Sequence, residues 1–114
     1  MLVTGGAGAV GHYAIQMARL LGARQVLTTV SGREKALLAQ QAGADVVINY
    51  RTEDVAARVM EATQGEGVDR IVEVDFAANI EISLKVLKPD SLIVTYGSTA
   101  AEIQAHLFQL TRLQ

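Results

Sequence analysis

The sequence predicts a single α/β domain in which a doubly wound parallel sheet of about five strands carries helices on both faces. Strand-like and helix-like segments alternate along the 114 residues, as right-handed β–α–β crossovers require. Residues 46–48 and 92–94 are uninterrupted apolar runs, typical of parallel strands buried on both faces. Four glycines fall within residues 5–11, where the first strand is expected to turn into the first helix.

The individual elements follow from apolar spacing and from the residues that begin and end helices. Strands are predicted at residues 2–3, 25–30, 45–50, 68–74 and 92–96, and helices at residues 10–21, 32–41, 53–63, 77–87 and 100–113. Ser31 and Thr52 are the expected side-chain caps of the second and third helices, and Gly22 and Gly43 are expected to end the first and second. Residues 87–90, Leu-Lys-Pro-Asp, are predicted to form a turn.

Composition restricts the classes of function. Hydrophobic residues make up 50% of the chain, which is enough for a packed core. The net charge of −2 gives no support for a nucleic-acid partner or an anionic membrane surface, and no apolar run reaches the roughly 20 residues of a membrane helix. The absence of cysteine excludes disulfides and Cys-ligated metals. No secretory signal pattern stands at the start, so a cytoplasmic location is expected.

The glycine cluster is the most informative segment. Gly6, Gly8 and Gly11 form Gly-x-Gly-x-x-Gly directly after a predicted strand and at the opening of a helix, which is the context that a dinucleotide-binding motif needs. We expect Gly6 to allow a tight turn with positive φ, Gly8 to leave room for a pyrophosphate, and Gly11 to let the helix pack close to the strand. Backbone N–H groups at the helix start would then face the phosphates. The alternative is a glycine-rich turn without a ligand.

The end of strand two suggests which dinucleotide binds. A carboxylate for the adenosine ribose is usual there, about 20 residues beyond the glycines, but this sequence has none. It offers the Ser31 hydroxyl and the cations Arg33 and Lys35, a set that attracts a 2′-phosphate. The sequence therefore favours NADP(H) over NAD(H). The alternative, which Glu34 supports slightly, is that these cations belong to the solvated face of an ordinary helix.

Further candidates stand at the ends of the later strands, where ligands bind in such sheets. Tyr50 ends strand three and is a candidate for the adenine end of the crevice, with half-buried packing as the alternative. Residues 75–77, Asp-Phe-Ala, end strand four, and Gly97 and Ser98 end strand five, so these five residues are candidates for the nicotinamide end. For Asp75, helix capping is the alternative. The other Asp and Glu residues are expected on solvent faces.

Several segments resemble the quinone oxidoreductases of the medium-chain dehydrogenase/reductase superfamily, the zeta-crystallin-like enzymes. The segments are residues 3–18, 43–54, 67–69 and 87–89, and the run from 43 to 54 is the most specific. The resemblance implies a Rossmann domain that binds NADPH, zinc-free reduction of a small quinone or enone, and a homodimer. By the same resemblance, Gly8, Ala9 and Val10 match the phosphate loop, and Ser31, Lys35 and Tyr50 match positions that hold the adenosine phosphate.

The chain also departs from that family. Ala77 and Ala78 stand where a glycine pair is usual, and Asp90 and Ser91 follow Pro89 where two glycines are usual. The family's substrate-binding domain flanks this segment and is absent. We therefore expect residues 1–114 to be one NADP(H)-binding domain of a longer enzyme, inactive alone.

Other classes of function remain as alternatives. An extended short-chain dehydrogenase needs a Tyr-x-x-x-Lys pair, and none of the three tyrosines has a lysine four positions later. A SAM-dependent methyltransferase would normally have an acidic residue at strand two. A non-catalytic NADPH-binding module is the alternative from outside enzymology. His12 and His106 lie on different predicted helices, so no metal site is expected, and no catalytic residue can be assigned.

Overall fold

A computed structural model describes residues 1–73 and 76–95, without the side chains of Ala9, residues 76–80, Asp90 and Thr95. The predicted last helix and four of the residues discussed above lie outside the described residues: Asp75, Gly97, Ser98 and His106. No helix in the described ranges has the length and apolar character needed to cross a bilayer.

Within the described residues, five strands alternate with four helices, which confirms the predicted alternation over that part of the chain. The elements are β1 (Leu2–Val3), α1 (Ala9–Leu20), β2 (Leu27–Val30), α2 (Arg33–Ala42), β3 (Val46–Asn49), α3 (Val55–Ala62), β4 (Val68–Glu73), α4 (Phe76–Val86) and β5 (Leu87–Thr95). All strands are parallel and lie in the order β3-β2-β1-β4-β5. The chain runs outward from β1 to one side and then returns to the other, so the doubly wound fold is confirmed.

The sheet separates two hydrophobic cores because successive side chains of a strand point to opposite faces. Leu2 and Ile71 pack in the core under α3 and α4. Their neighbours Val3 and Val72 pack in the core under α1 and α2, together with Ile15. The two-residue strand β1 therefore contributes to both cores while it pairs with β2 and β4.

The helix ends follow the predicted glycines but not the predicted caps. Gly22 and Gly43 have φ of 91° and 117° and end α1 and α2 in the left-handed conformation, as expected. The N-cap of α2 is Gly32, without a side-chain hydrogen bond, so the expected capping role of Ser31 is wrong. The N-cap of α3 is Asp54, whose Oδ1 accepts from the Ala57 N–H at 3.1 Å, so the expected capping role of Thr52 is also wrong.

The outer strand β5 differs from its prediction in two ways. The predicted turn at residues 87–90 belongs to the strand, and the pairing shifts register there because Val68 pairs with Leu87 while Arg70 pairs with Leu92. Pro89 has no N–H for a regular ladder, which suits it to such an irregularity. Ile93 is buried, whereas Leu92 is 45% and Val94 is 40% exposed. Within the described residues, β5 is thus buried on one face only.

Candidate functional site

The glycine loop is held at the carboxyl edge of the sheet by the strands on either side of β1. The Thr4 N–H donates to the Val72 carbonyl on β4 at 3.0 Å. The Gly5 N–H donates to the Thr29 hydroxyl at 3.2 Å, and the Gly6 N–H donates to the Thr29 carbonyl at 3.1 Å, both on β2. The loop therefore has a fixed position relative to β2 and β4.

The first part of the loop needs glycine for reasons that the motif alone did not reveal. Gly5 has φ of 65°, so Gly5 forms the tight turn with positive φ. The expectation that Gly6 would form it is wrong. A Cβ at Gly6 would overlap the Thr28 hydroxyl and lie 2.8 Å from Cδ1 of Ile15. Gly6 thus allows the loop to pack directly on β2 and α1.

Gly8 and Gly11 have different surroundings. Gly8 is the exposed N-cap of α1, and among the described residues a Cβ there would meet the Gly5 carbonyl oxygen alone, at 3.4 Å. A Cβ at Gly11 would overlap that oxygen and lie 2.7 Å from the Gly5 carbonyl carbon. Gly11 therefore allows the close approach of α1 that was expected, although the nearest atoms belong to the backbone directly after β1 and not to the strand itself. Gly8 leaves the outer side of the loop open.

The start of α1 is suited to an anion. The first N–H groups of an α-helix have no partner within the helix, and here the N-cap Gly8 offers no side chain to accept from them. The first turn contains no acidic residue. Ala9 begins the helix, and Val10 is 44% exposed beside it. Phosphate oxygens can accept from these N–H groups, with a modest additional contribution of about 0.3–2 kcal/mol from the helix dipole.

The structure brings together the residues predicted at the ends of β2 and β3. Lys35 Nζ donates to Ser31 Oγ at 3.0 Å across the start of α2. Arg33 is the first residue of α2 and is exposed. Tyr50 follows β3, its N–H donates to the Val30 carbonyl at 3.0 Å, and its side chain is 53% exposed. A hydroxyl, two cations and an aromatic ring thus lie at one edge of the sheet.

Glu53, the first acidic residue after β3 in the sequence, already has hydrogen-bond partners. Glu53 Oε2 accepts from the Asn49 N–H at 2.7 Å, and its Oε1 accepts from Arg58 Nε at 3.0 Å. These contacts satisfy the charge of Glu53 within its own loop and α3. Arg33 and Lys35 carry two positive charges against the one negative charge of Glu34, so the segment that follows β2 keeps a net positive charge.

Glu73 is a residue that the sequence analysis missed. It ends β4 and is fully buried, so the expectation of a solvent-facing carboxylate is wrong there. Its Oε1 accepts from the Thr4 hydroxyl at 2.7 Å, and its Oε2 accepts from the Ser83 hydroxyl on α4 at 3.1 Å. The available signal was an acidic residue among the apolar residues Ile71, Val72 and Val74 of the predicted fourth strand.

No group of three or more His, Cys, Asp or Glu residues lies together within residues 1–73 and 76–95. His12 is on α1, remote in sequence from any other histidine. In the part of the chain that the structure describes, the features that could meet a ligand are the glycine loop at the start of α1 and the cations that follow β2.

Comparison with known proteins agrees with this geometry. A sequence profile described as zinc-binding dehydrogenase matches residues 9–114. A 2-haloacrylate reductase of Burkholderia sp. is 39% identical over 97 residues, covering 85% of this chain and 29% of the relative. A quinone oxidoreductase of Pseudomonas aeruginosa is also 39% identical over 97 residues, covering 85% and 30%. An NAD-dependent alcohol dehydrogenase of Sulfurisphaera tokodaii is 32% identical over 108 residues, covering 93% and 31%.

Solved structures show the same relationship. The crystal structure of a 2-haloacrylate reductase superposes with a TM-score of 0.80 at 38% identity, covering 87% of this chain and 30% of that one. Escherichia coli quinone oxidoreductase complexed with NADPH superposes with a TM-score of 0.75 at 33% identity, covering 92% and 34%. The chain spans less than a third of the length of the curated relatives named above. With its parallel sheet and glycine loop, the chain belongs to the zinc-binding dehydrogenase family, within the medium-chain dehydrogenase/reductase superfamily, and has the fold of that superfamily's cofactor-binding domain.

Proposed function

We propose that this chain binds NADP(H) and is the cofactor-binding domain of an oxidoreductase that reduces a small quinone or enone without zinc. The observation that carries the proposal is the open outer side of the glycine loop at Gly8, above a helix start without an acidic residue. The names of the quinone oxidoreductases and the 2-haloacrylate reductase support a reductase of this kind.

The residues fit a dinucleotide in two places. Gly6, Gly8, Ala9, Val10 and Gly11 would hold the pyrophosphate through the loop and the first N–H groups of α1. A second set would hold the adenosine ribose and its 2′-phosphate: Ser31, Arg33, Lys35 and Tyr50. Gly97 and Ser98 stay proposed contacts at the nicotinamide end. When bound, the nicotinamide supplies the hydride, while the protein supplies position and electrostatics.

The preference for NADP(H) rests on charge at the end of β2. Lys35 and Ser31 are already in contact, so little side-chain reorganisation separates them from a shared phosphate. Arg33 adds a second cation, and Glu53 is paired with Arg58. Each charge-assisted hydrogen bond to a phosphate contributes about 1.5–3 kcal/mol. NAD(H) is the second candidate because one relative is named as NAD-dependent.

The remaining parts of the proposal concern the whole protein. Zinc-free chemistry is proposed from the resemblance to quinone oxidoreductases. The substrate would bind to a further domain of a longer enzyme, so residues 1–114 alone would be inactive. A homodimer, a cytoplasmic location and the absence of nucleic-acid and membrane partners complete the proposal. A non-catalytic NADPH-binding module is the alternative.

The direct test is titration of the protein with NADPH, NADH and SAM. Binding is measured by calorimetry, or by nicotinamide fluorescence for the two nicotinamide nucleotides. We expect NADPH to bind most tightly, because only its 2′-phosphate meets the cations of α2. Binding of SAM without NADPH would contradict the proposal and favour a methyltransferase. Turnover of a quinone by the full-length enzyme, measured as NADPH oxidation, separates an enzyme from a binding module.

The preference for NADPH over NADH is tested by reversing the charges of Arg33 and Lys35. Arg33→Glu with Lys35→Glu should weaken NADPH binding at least about tenfold, or 1.4 kcal/mol, and change NADH binding little. Arg24→Glu with Lys88→Glu is the matched control, since it changes the net charge equally at the opposite edge of the sheet. Equal losses for NADPH and NADH would contradict the assignment of the 2′-phosphate site.

A further inference from the structure

The structure assigns Glu73 a positioning role: its buried carboxylate fixes the start of the glycine loop and thereby sets the affinity for the dinucleotide without touching it. This inference rests on the proposed function. It concerns a residue that lies beneath the loop rather than at the open side where the phosphates would bind.

Glu73 connects three elements. It is the last residue of β4, and no part of it is exposed. One carboxylate oxygen accepts from Thr4 at the end of β1, at 2.7 Å, and the other accepts from Ser83 on α4, at 3.1 Å. Thr4 and Ser83 are only 5% and 1% exposed, so water does not compete for these bonds.

Thr4 connects Glu73 to the proposed phosphate site, because Thr4 donates to Glu73 and directly precedes the glycine loop. The next residue, Gly5, has a positive φ, and its carbonyl oxygen accepts from the Gly8 N–H at 2.9 Å. The same oxygen lies against Gly11 in the first turn of α1. A displacement of Thr4 therefore moves Gly5, and a displacement of Gly5 moves the N-terminus of α1.

The two anchors of the carboxylate differ in stiffness. Ser83 lies on α4, a helix of 11 residues, whereas Thr4 follows β1, a strand of 2 residues. A buried carboxylate that loses a donor must find another or rearrange, because an unsatisfied buried charge is costly. Thr4 leads directly into Gly5 and the loop, so a rearrangement of Thr4 reaches the loop, whereas a rearrangement of Ser83 stays within α4. Weakening the network should therefore disturb the loop more than α4.

The test uses isosteric substitutions in the full protein. Thr4→Val removes the hydroxyl and keeps the shape, and Thr4→Ser keeps the hydroxyl as the matched control. Glu73→Gln keeps the volume but replaces one of the two acceptor oxygens with an NH2 group. The side chain can then no longer accept from the two hydroxyls through two carboxylate oxygens. Val59→Ala, a fully buried position on α3 away from the loop, is the control for loss of stability alone. Affinities for NADPH and for adenosine 2′-monophosphate, which lacks the pyrophosphate, are measured well below each thermal midpoint.

We expect Thr4→Val and Glu73→Gln to weaken NADPH binding roughly fivefold or more, a common scale for residues that act through others. Binding of adenosine 2′-monophosphate should stay unchanged, because its phosphate meets the cations of α2. Thr4→Ser and Val59→Ala should bind NADPH like the unmodified protein. If that protein binds NADPH and the two variants bind it equally well, or if both ligands weaken in parallel, the inference is overturned. If the unmodified protein binds no dinucleotide, the proposed function fails and this inference fails with it.

Discussion

Replacement of Gly8 by alanine should separate binding from stability. Gly8 has φ of −73° and ψ of 164°, which any residue adopts, and within residues 1–73 and 76–95 the added methyl group would meet just the Gly5 carbonyl oxygen, at 3.4 Å. Alanine is a poorer N-cap than glycine, but it also restricts the unfolded chain. These effects oppose each other, so the free energy of unfolding should change by less than about 1 kcal/mol.

The affinity for NADPH should fall much more. The methyl group would project from the exposed N-cap into the space that we assign to the pyrophosphate. Each bond between an N–H group and a phosphate oxygen contributes about 1.5–3 kcal/mol. The loss of one such bond weakens binding roughly tenfold to 150-fold, since each factor of ten corresponds to about 1.4 kcal/mol.

The assay is an NADPH titration alongside urea denaturation, with Gly11→Ala as the comparison. At Gly11 the methyl group would overlap the Gly5 carbonyl, and backbone atoms cannot move aside as a flexible side chain can. Gly11→Ala should therefore lose about 1–3 kcal/mol of stability, or more, as overpacked positions do. An unchanged NADPH dissociation constant for Gly8→Ala would refute the assignment of the open side of the loop to the pyrophosphate.

The other predictions concern the framework. Asp54→Ala should lower the free energy of unfolding by about 1 kcal/mol, as loss of an N-cap does, whereas Thr52→Ala should not; urea denaturation of both variants decides which residue caps α3. Gly43→Ala should cost about 1–3 kcal/mol in the same assay, because φ is 117° and the new Cβ would lie 2.9 Å from Cγ of Arg19. Gly65→Ala, with φ of 82° but open space around it, should cost less; equal losses would show that the contact with Arg19 contributes nothing.

The order of the elements could be predicted from the sequence, because apolar runs and glycines repeat the same β–α alternation along the chain. The exact caps could not. Ser31 and Thr52 each precede a helix, but Ser31 lies in contact with Lys35 and Asp54 stands closer to the first turn of α3. Two suitable side chains near one helix start compete, and only the backbone path decides between them.

The candidate site was predictable in part. The glycine motif predicts a phosphate loop at the start of α1, and the lack of a carboxylate after β2 predicts the cations of α2 as phosphate contacts; both stay predictions. The motif did not reveal that Gly5 carries the positive φ, because several glycines in one turn satisfy the same pattern. Glu73 was missed because its partner Thr4 is 69 positions away in the chain, and contacts of that range leave no periodic signal.

The shortness of β1 affects how the protein acquires its shape during synthesis. This central strand of two residues has partners on β2 and on β4, and the latter is translated some 70 residues later, so the closing contacts are of high sequence separation. A nascent chain that ends before β4 would contain the whole glycine loop, but β2 would be the one neighbouring strand present to hold that loop in place. The dinucleotide that we propose would therefore stabilise the folding polypeptide only after β4 has left the ribosome.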